Sequence, residues 1–394
     1  MTDLEGLTDV VVADVVKAGR VAGTLSRTAD GVAFAYLEGY DGPPVATTLP
    51  RGEEQVIRPG GALPAYFTGL LPEGRRLGAL RRAVKTSVDD ELSLLLAVGN
   101  DAIGDVQIVP QGETPSPEPA RVLLDPAAEV RFADVLRDLE VRPDRRALPG
   151  VQDKVSAAMI SLPSVHAGHD ALLKLDPPEY PGLVENEHVM VRAATVSGLD
   201  TVHAELVRDT DGVAGLAILR FDRPDAAQLA VEDGCQVLGR APGDKYVVGY
   251  ASTFAALSVV CDARALALRT LVEQLVFSVL TGNGDAHAKN FSVLQQPDGE
   301  WRVSPAYDLP SSQPYGDTTL AMPVNRRRSD VGAKDVLALG AELGLPERVT
   351  LRVLRTATQQ VGSWLPLLDE LPYDEGRRRK LVRVVQQRCK RLTP

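Results

Sequence analysis

The chain is poor in cysteine, histidine and aromatic residues. Its three cysteines, Cys235, Cys261 and Cys389, fit neither a CxxC pair nor a disulfide framework, and read as two core thiols and one surface thiol. Five histidines are scattered with no HExxH, so the spacing of a structural or catalytic zinc site is missing. No apolar run reaches the roughly 18 residues that a membrane-spanning helix needs. The opening stretch, MTDLEGLTDVVVADVVKAG, has acidic residues where a secretory leader wants basic ones. The reading is a cytoplasmic protein without membrane contact. An excess of positive charge is also missing: 43 basic and 53 acidic residues leave a net charge of −10. Nucleic acid is therefore not bound through the overall field, and any DNA contact needs a local basic patch or a partner. The basic runs Arg326-Arg327-Arg328 and Arg377-Arg378-Arg379-Lys380 read first as solvated loop and helix faces.

What the chain does have is length and apolar content. At 394 residues and 44% apolar, it can bury a sizeable core and form two or three units. Val10–Val16 and Val32–Leu37 are short β-branched runs, with turn glycines at 19, 31, 39 and 42. Residues 66–110 read as helical, with Leu92, Leu95, Leu96 and Val98 on one face. PQGETPSPEPA, residues 110–120, has a linker's composition. One helix is expected within 125–142. Strands follow at Val151–Leu162, Ala171–Leu175, Leu206–Arg208 and Ala214–Phe221, around a helix over Val184–Ser197. Beyond 224 the pattern is mainly helical. It is clearest at Leu266–Thr281, where apolar residues recur at i, i+3 and i+4. A hairpin is expected between Phe291–Leu294 and Trp301–Ser304, around Pro297-Asp298-Gly299. The class is α+β. The expected units are an N-terminal β-rich module (1–112), a linker and helix (113–144), a β-rich lobe (145–223) and a helical lobe (224–394).

The segment LTGNGDAHAKNFSVL, residues 280–294, carries the chemistry. Asp285 stands five positions before Asn290, between a long apolar helix and a short strand. Phosphoryl transfer needs a carboxylate near the attacking hydroxyl and an oxygen ligand for magnesium, and the protein-kinase catalytic loop uses this Asp-x-x-x-x-Asn spacing. Asp308, in SPAYDLPSS, is expected at the end of the hairpin's second arm, where a second magnesium carboxylate belongs. Any one of these residues alone would read as a turn former or cap. Their order around a hairpin, after an apolar helix, makes the pattern specific.

A kinase also needs a lysine on a lobe strand. Lys174 lies within Ala171–Leu175, where a charge is costly unless paired. Glu187 on the next helix is the expected partner, and Glu185 competes with it. The segment Pro149-Gly150-Val151-Gln152-Asp153-Lys154 could cradle phosphates with backbone N–H groups and Lys154, although it is neither a Walker A nor a GxGxxG loop.

Together these segments resemble the HipA family of serine/threonine toxin kinases, over most of the chain. FTGLLPEG (67–74) and LLLAVGNDAIGDVQIVP (94–110) are similar to its N-terminal module. Gly150, Gln152 and Lys154 match its Gly-x-Gln-x-Lys loop. Further matches are LLKL at Lys174, Asn186-Glu187, LAILRFDR (216–223), DGCQ (233–236), the Lys245-Tyr246 pair, the Asp-x-His-x-Lys-Asn loop at 285–290 and Tyr307-Asp308. The resemblance implies a kinase-like bilobal fold with a helical C-terminal lobe. It implies ATP and Mg2+, with Asp285 as catalytic base and Asn290 and Asp308 on the metal. Lys154 and Lys174 would contact phosphates, residues 149–154 form the nucleotide loop, and Leu219, Arg220 and Phe221 offer hinge backbone groups to adenine. Gln236, His287, Ala288, Lys289 and Tyr307 would complete the ATP site. It also implies a helix-turn-helix antitoxin partner, DNA contact only through that partner, and an aminoacyl-tRNA synthetase, notably the glutamyl enzyme, as protein substrate.

One departure stands out. Family members commonly carry a serine three residues before the loop glycine, whose autophosphorylation expels the loop and silences the enzyme. Here Ala147 holds that position and Pro149 replaces a second common serine. Two other readings compete. A small-molecule kinase of the aminoglycoside or choline type shares Gly284-Asp285-Ala286-His287 but lacks the 67–110 module and the Gly-x-Gln-x-Lys loop. A non-catalytic co-repressor would have no need of the full Asp285, Asn290, Asp308, Lys174 and Lys154 set.

Overall fold

The computed structural model describes residues 4–52, 55–116, 122–124, 130–141 and 159–394. The N-terminal part builds a sheet from β1 (Val12–Lys17), β2 (Arg20–Thr28), β3 (Gly31–Tyr36), β4 (Val56–Arg58) and β5 (Val106–Pro110), in the order β4-β3-β2-β1-β5. Ala18 and Gly19 join β1 to β2 with φ of 49° and 77°. Such a mirror-image turn suits the right-handed twist of the flanking strands. Three helices cover the sheet: α1 (Ala65–Leu70), α2 (Gly74–Val84) and α3 (Glu91–Val98). Phe34 and Phe67 meet at 5.3 Å between ring centroids inside this core, with Leu92, Leu94 and Leu95 around them. The helical reading of 66–110 therefore holds only in part. Residues 106–110 form a strand antiparallel to β1, and its partner lies some 90 residues upstream, out of reach of local periodicity.

A second sheet runs β6-β7-β8-β10-β9: β6 (Val122–Leu124), β7 (Ile160–His166), β8 (His169–Leu175), β9 (Ala204–Arg208) and β10 (Ala214–Leu219). Helix α4 (Phe132–Val141) lies between β6 and β7 in sequence. Helix α5 (Leu183–Val196) packs on β9 and β10. The strand expected over Val151–Leu162 appears from Ile160 onward, and its earlier part lies outside the described residues.

The remaining lobe is built around α8 (Arg264–Thr281), with Leu271, Val272, Leu275 and Val276 fully buried. Around it lie α6 (Gly234–Val237), α7 (Tyr250–Val260), α9 (Ala333–Glu342), α10 (Glu347–Trp364) and α11 (Glu375–Leu392). Trp364 seals the core against Phe277, with centroids 5.9 Å apart. A small sheet adds β11 (Val231–Asp233) to the expected hairpin of β12 (Ser292–Gln295) and β13 (Trp301–Val303). Asp308 does not end the second arm as expected. It lies five residues beyond β13: Ser304 still donates to the Ser292 carbonyl, and Ala306 then bridges to the segment at 200–202. Among the described residues, no helix is long and apolar enough to cross a membrane.

Candidate active site

Helix α8 stops at Gly282, whose φ of 77° is the left-handed C-terminal cap that glycine permits. The chain then enters the loop 283–290 under tight control. Asn283 accepts the Asp285 backbone N–H at 3.0 Å and donates from Nδ2 to the Asp308 carbonyl at 2.9 Å. One side chain thus ties together the backbones of the two expected catalytic carboxylates. Gly284 donates to Ser312 Oγ, and a Cβ at 284 would lie 2.5 Å from that oxygen. Asp285 is only 2% exposed and accepts a 2.8 Å hydrogen bond from the Tyr246 hydroxyl. Burial, then the Asp285 charge, pushes the Tyr246 phenol well up, so it remains a donor. His287 caps the short helical turn 288–290: its backbone N–H donates to Asn290 Oδ1.

Lys174 shows how the strand charge is paired. Its ammonium donates to both carboxylate oxygens of Glu187 at 2.8 Å and to Asp308 Oδ1 at 2.9 Å. Glu187 is fully buried. Burial alone would lower Lys174, but Asp308 and Glu187 outweigh it and hold the ammonium charged. Burial pushes the Glu187 carboxyl up to about 7, against the pull of Lys174. Glu185 makes no contact with Lys174. It stands two residues before Glu187 on α5, where burial raises its carboxyl and Oε2 has no hydrogen-bond partner among the described residues. The other side of Asp308 accepts from Asn290 Nδ2. Asp308 has a φ of 56°, a conformation that costs a non-glycine residue about 1–2 kcal/mol. Such strain is stored where surrounding contacts over-determine the backbone, as the Asn283 bond does here.

A single cavity collects most of the expected set. It is lined by Lys174, Leu219, Arg220, Phe221, Gln236, His287, Lys289, Asn290, Tyr307 and Asp308. Ala288 lies beneath it, fully buried, with its N–H on the Lys245 carbonyl. Gly234 makes this packing possible, since a Cβ there would lie 2.7 Å from the Ala288 carbonyl oxygen. At the hinge, the Leu219 and Arg220 amides already donate to the His203 and Asp170 carbonyls. The Arg220 guanidinium is tied to Asp222 and Asp101. Phe221 stacks on Tyr307 at 5.7 Å. The expected nucleotide-loop residues Pro149, Gly150, Val151, Gln152, Asp153 and Lys154 lie outside the described residues, as does Ala147.

The two expected oxygen ligands fit a hard cation in kind. Asp308 supplies a carboxylate and Asn290 an amide oxygen, the donor type that magnesium takes beside phosphates and water. Asn290 Oδ1 accepts the His287 N–H with one of its two lone pairs. Among the described residues there is no cluster of three or more His, Cys, Asp or Glu side chains of metal-binding kind.

Several residues with no role in the sequence reading belong to the site. Asn283 is one. Lys245, Asp233 and Glu73 are others, and each sits in a segment that carried the resemblance. Gln236 accepts the Asp233 N–H and donates to the Tyr66 carbonyl, joining the helical lobe to the N-terminal part.

Comparison with known proteins agrees over nearly the whole chain. The HipA N-terminal domain matches residues 13–109, and the HipA-like C-terminal domain matches residues 146–365. A Sinorhizobium fredii protein, Y4dM, provisionally named a kinase, is 32% identical over 389 residues, covering 89% of this chain and 90% of its own. The serine/threonine-protein kinase toxin HipA of Shewanella oneidensis is 26% identical over 396 residues, covering 90% and 88%. A chain in the structure of the Shewanella oneidensis MR-1 toxin–antitoxin system HipA, HipB and operator DNA complex superposes with a TM-score of 0.76. It is 23% identical and covers 96% of this chain and 97% of that one. The expected α+β kinase-like fold is thereby established, and the chain belongs to the HipA family of toxin kinases, enzymes that transfer phosphoryl groups.

Proposed function

We propose that the chain is an ATP- and Mg2+-dependent serine/threonine protein kinase that acts as the toxin of a toxin–antitoxin pair. The observation that carries this reading is that Lys174, Asn290 and Asp308 line one cavity and are bonded through Asp308, with Glu187 buried against Lys174 and Asp285, outside that lining, at the start of the loop that carries Asn290. A non-catalytic co-repressor would have no use for a buried lysine shared between two carboxylates, which is costly to keep. A small-molecule kinase would not need the N-terminal HipA domain at 13–109. The proposed units are 1–112, 113–144, 145–223 and 224–394.

In this reading Asp285 accepts the proton of the attacking hydroxyl while Tyr246 holds its carboxylate in place. Lys174, held by Glu187, faces the nucleotide phosphates. Asn290 and Asp308 would hold Mg2+, which when bound offsets charge on the transferred group. Lys154 and residues 149–154 would cover the phosphates. Residues 219–221 would border adenine through groups other than the Leu219 and Arg220 amides, and Gln236, His287, Ala288, Lys289 and Tyr307 would complete the site. The proposed partner is a helix-turn-helix antitoxin of the HipB type, with DNA reached only through it. The Shewanella oneidensis complex of HipA, HipB and operator DNA supports that choice. The proposed acceptor is a translation protein such as glutamyl-tRNA synthetase, and the proposed compartment is the cytoplasm. Calorimetry with ATP, with and without Mg2+, tests the nucleotide site. Mass spectrometry of candidate synthetases after incubation tests the acceptor. Metal-dependent ATP binding and phosphoserine or phosphothreonine on the acceptor are expected. The absence of ATP binding would contradict the reading.

A further inference from the structure

The N-terminal domain reaches into the cavity through one carboxylate. Glu73 is the residue before α2, and its side chain does not cap that helix. It points instead at the helical lobe. Oε2 lies 2.6 Å from Lys245 Nζ, and Oε1 lies 2.9 Å from Lys289 Nζ. Both lysines are buried, at 1% and 7% exposure. Lys289 also donates to the Gly69 carbonyl and has Asp233 at 3.8 Å. Burial alone would raise the Glu73 carboxyl, yet the two lysines hold it below its ordinary range.

The position of the lysines gives this contact its meaning. Lys289 directly precedes Asn290, and its carbonyl accepts from the Tyr307 hydroxyl at 2.7 Å. Lys245 directly precedes Tyr246, the donor to Asp285, and its carbonyl accepts the Ala288 N–H. The two lysines therefore flank the residues at both ends of the 285–290 loop. Buried cations this close to each other need a shared counter-charge, and a carboxylate with two oxygens supplies it with defined geometry.

We infer that Glu73 is a positioning residue for phosphoryl transfer, by which the N-terminal domain sets the catalytic loop through Lys245 and Lys289. This rests on the kinase reading above. In Glu73→Gln the amide oxygen can serve one lysine only. The other loses its close carboxylate partner beside the nucleotide phosphates, and Lys289 would keep only the Gly69 carbonyl and the more distant Asp233. Alignment of Asp285 and Asn290 suffers, while the added positive charge does not weaken nucleotide binding.

The test compares parent, Glu73→Gln, Glu73→Asp and Asp285→Asn as full chains. ADP formation with a Ser/Thr peptide library gives kcat, calorimetry with Mg-ATP gives affinity and binding stoichiometry, and thermal melts report folding. Per nucleotide-binding site, kcat should fall at least about tenfold in Glu73→Gln, about 1.4 kcal/mol of barrier. It should fall less in Glu73→Asp, which keeps the charge and shortens the reach. Affinity for Mg-ATP should stay equal or tighten. A per-site kcat in Glu73→Gln within about twofold of the parent would overturn the inference. So would Mg-ATP affinity weakened by more than about threefold, which would make Glu73 a nucleotide-binding residue. If Glu73→Gln does not fold, parental kcat in Glu73→Asp overturns it. A parent chain that neither binds Mg-ATP nor forms ADP would instead bring down the underlying kinase reading, and activity in Asp285→Asn would bring down only the role of Asp285, so the failures are distinguishable.

Discussion

Replacing Glu187 with glutamine removes a charge and keeps the shape. In the parent, Lys174 makes two bonds to Glu187 and one to Asp308. The glutamine oxygen can accept one of the two, and its amide group cannot accept at all. One hydrogen bond involving a charged group is lost, a net of about 1.5–3 kcal/mol. Lys174 then relies on Asp308 and pulls that carboxylate away from its other duties. If the lost hold falls entirely on the transition state, kcat/KM for ATP drops about ten- to 150-fold. The chain should still fold, because Asp308 remains as a counter-charge and no buried cation is orphaned. The assay is steady-state ADP formation against ATP at saturating Mg2+, with rates referred to folded protein. Glu185→Gln is the control on the same helix. It touches neither Lys174 nor Asp308, and kcat/KM should stay within about threefold. A Glu187→Gln enzyme within about threefold of the parent, or a control equally impaired, would refute the assigned pairing.

Other outcomes follow from the same geometry and from the sequence. Burial lifts the Glu232 carboxyl from 4.5 to about 7, so the folded chain binds its proton more tightly than the unfolded one. That contribution is full below about pH 4.5 and is lost as pH rises through about 7, in total about 3 kcal/mol at about 1.36 kcal/mol per pKa unit. Glu232→Gln keeps acceptor and donor for Thr47 N–H and Oγ1, so its Tm should fall less than the parent's across that window; parallel profiles would refute this. Asp308→Ala should abolish the Mg2+-dependent part of ATP binding in calorimetry, and unchanged metal dependence would remove Asp308 from the site. With Ala147 lacking a hydroxyl, enzyme incubated with ATP and Mg2+ should carry no phosphate within residues 140–156 by peptide mass spectrometry. A stoichiometric phosphate on Ser156 with lost nucleotide binding would show that the switch has moved.

Features legible in the sequence were those set by short-range pattern. A single lysine in the apolar run Ala171–Leu175 demanded a partner, and Glu187 meets it at 2.8 Å. Asp285 and Asn290 stood out by their spacing, and α8 by apolar residues recurring at i, i+3 and i+4. Contacts that depend on distant chain were not legible. β5 pairs with β1 across the whole N-terminal domain, and β11 joins the β12–β13 hairpin from some 60 residues upstream. Glu73 meets Lys245 and Lys289 across 172 and 216 residues, a meeting that no periodicity encodes. Asn283 matches no spacing rule, and its link between Asp285 and Asp308 appears only when the 283–290 loop is folded against the segment after β13. The position of Asp308 was misjudged for a related reason, since Ala306 bridges to the 200–202 segment, about 100 residues upstream, before the chain reaches it.

In the proposed mechanism Asp285 serves the acceptor hydroxyl and not the nucleotide. The most direct test is Asp285→Asn, measured for phosphoryl transfer and for Mg-ATP affinity on the same preparation. Asparagine keeps an acceptor for the Tyr246 hydroxyl, so the loop should hold its shape. Transfer should be abolished, a loss of at least about 10²-fold, while the dissociation constant for Mg-ATP stays within about threefold of the parent. Full transfer activity in this variant would contradict the account.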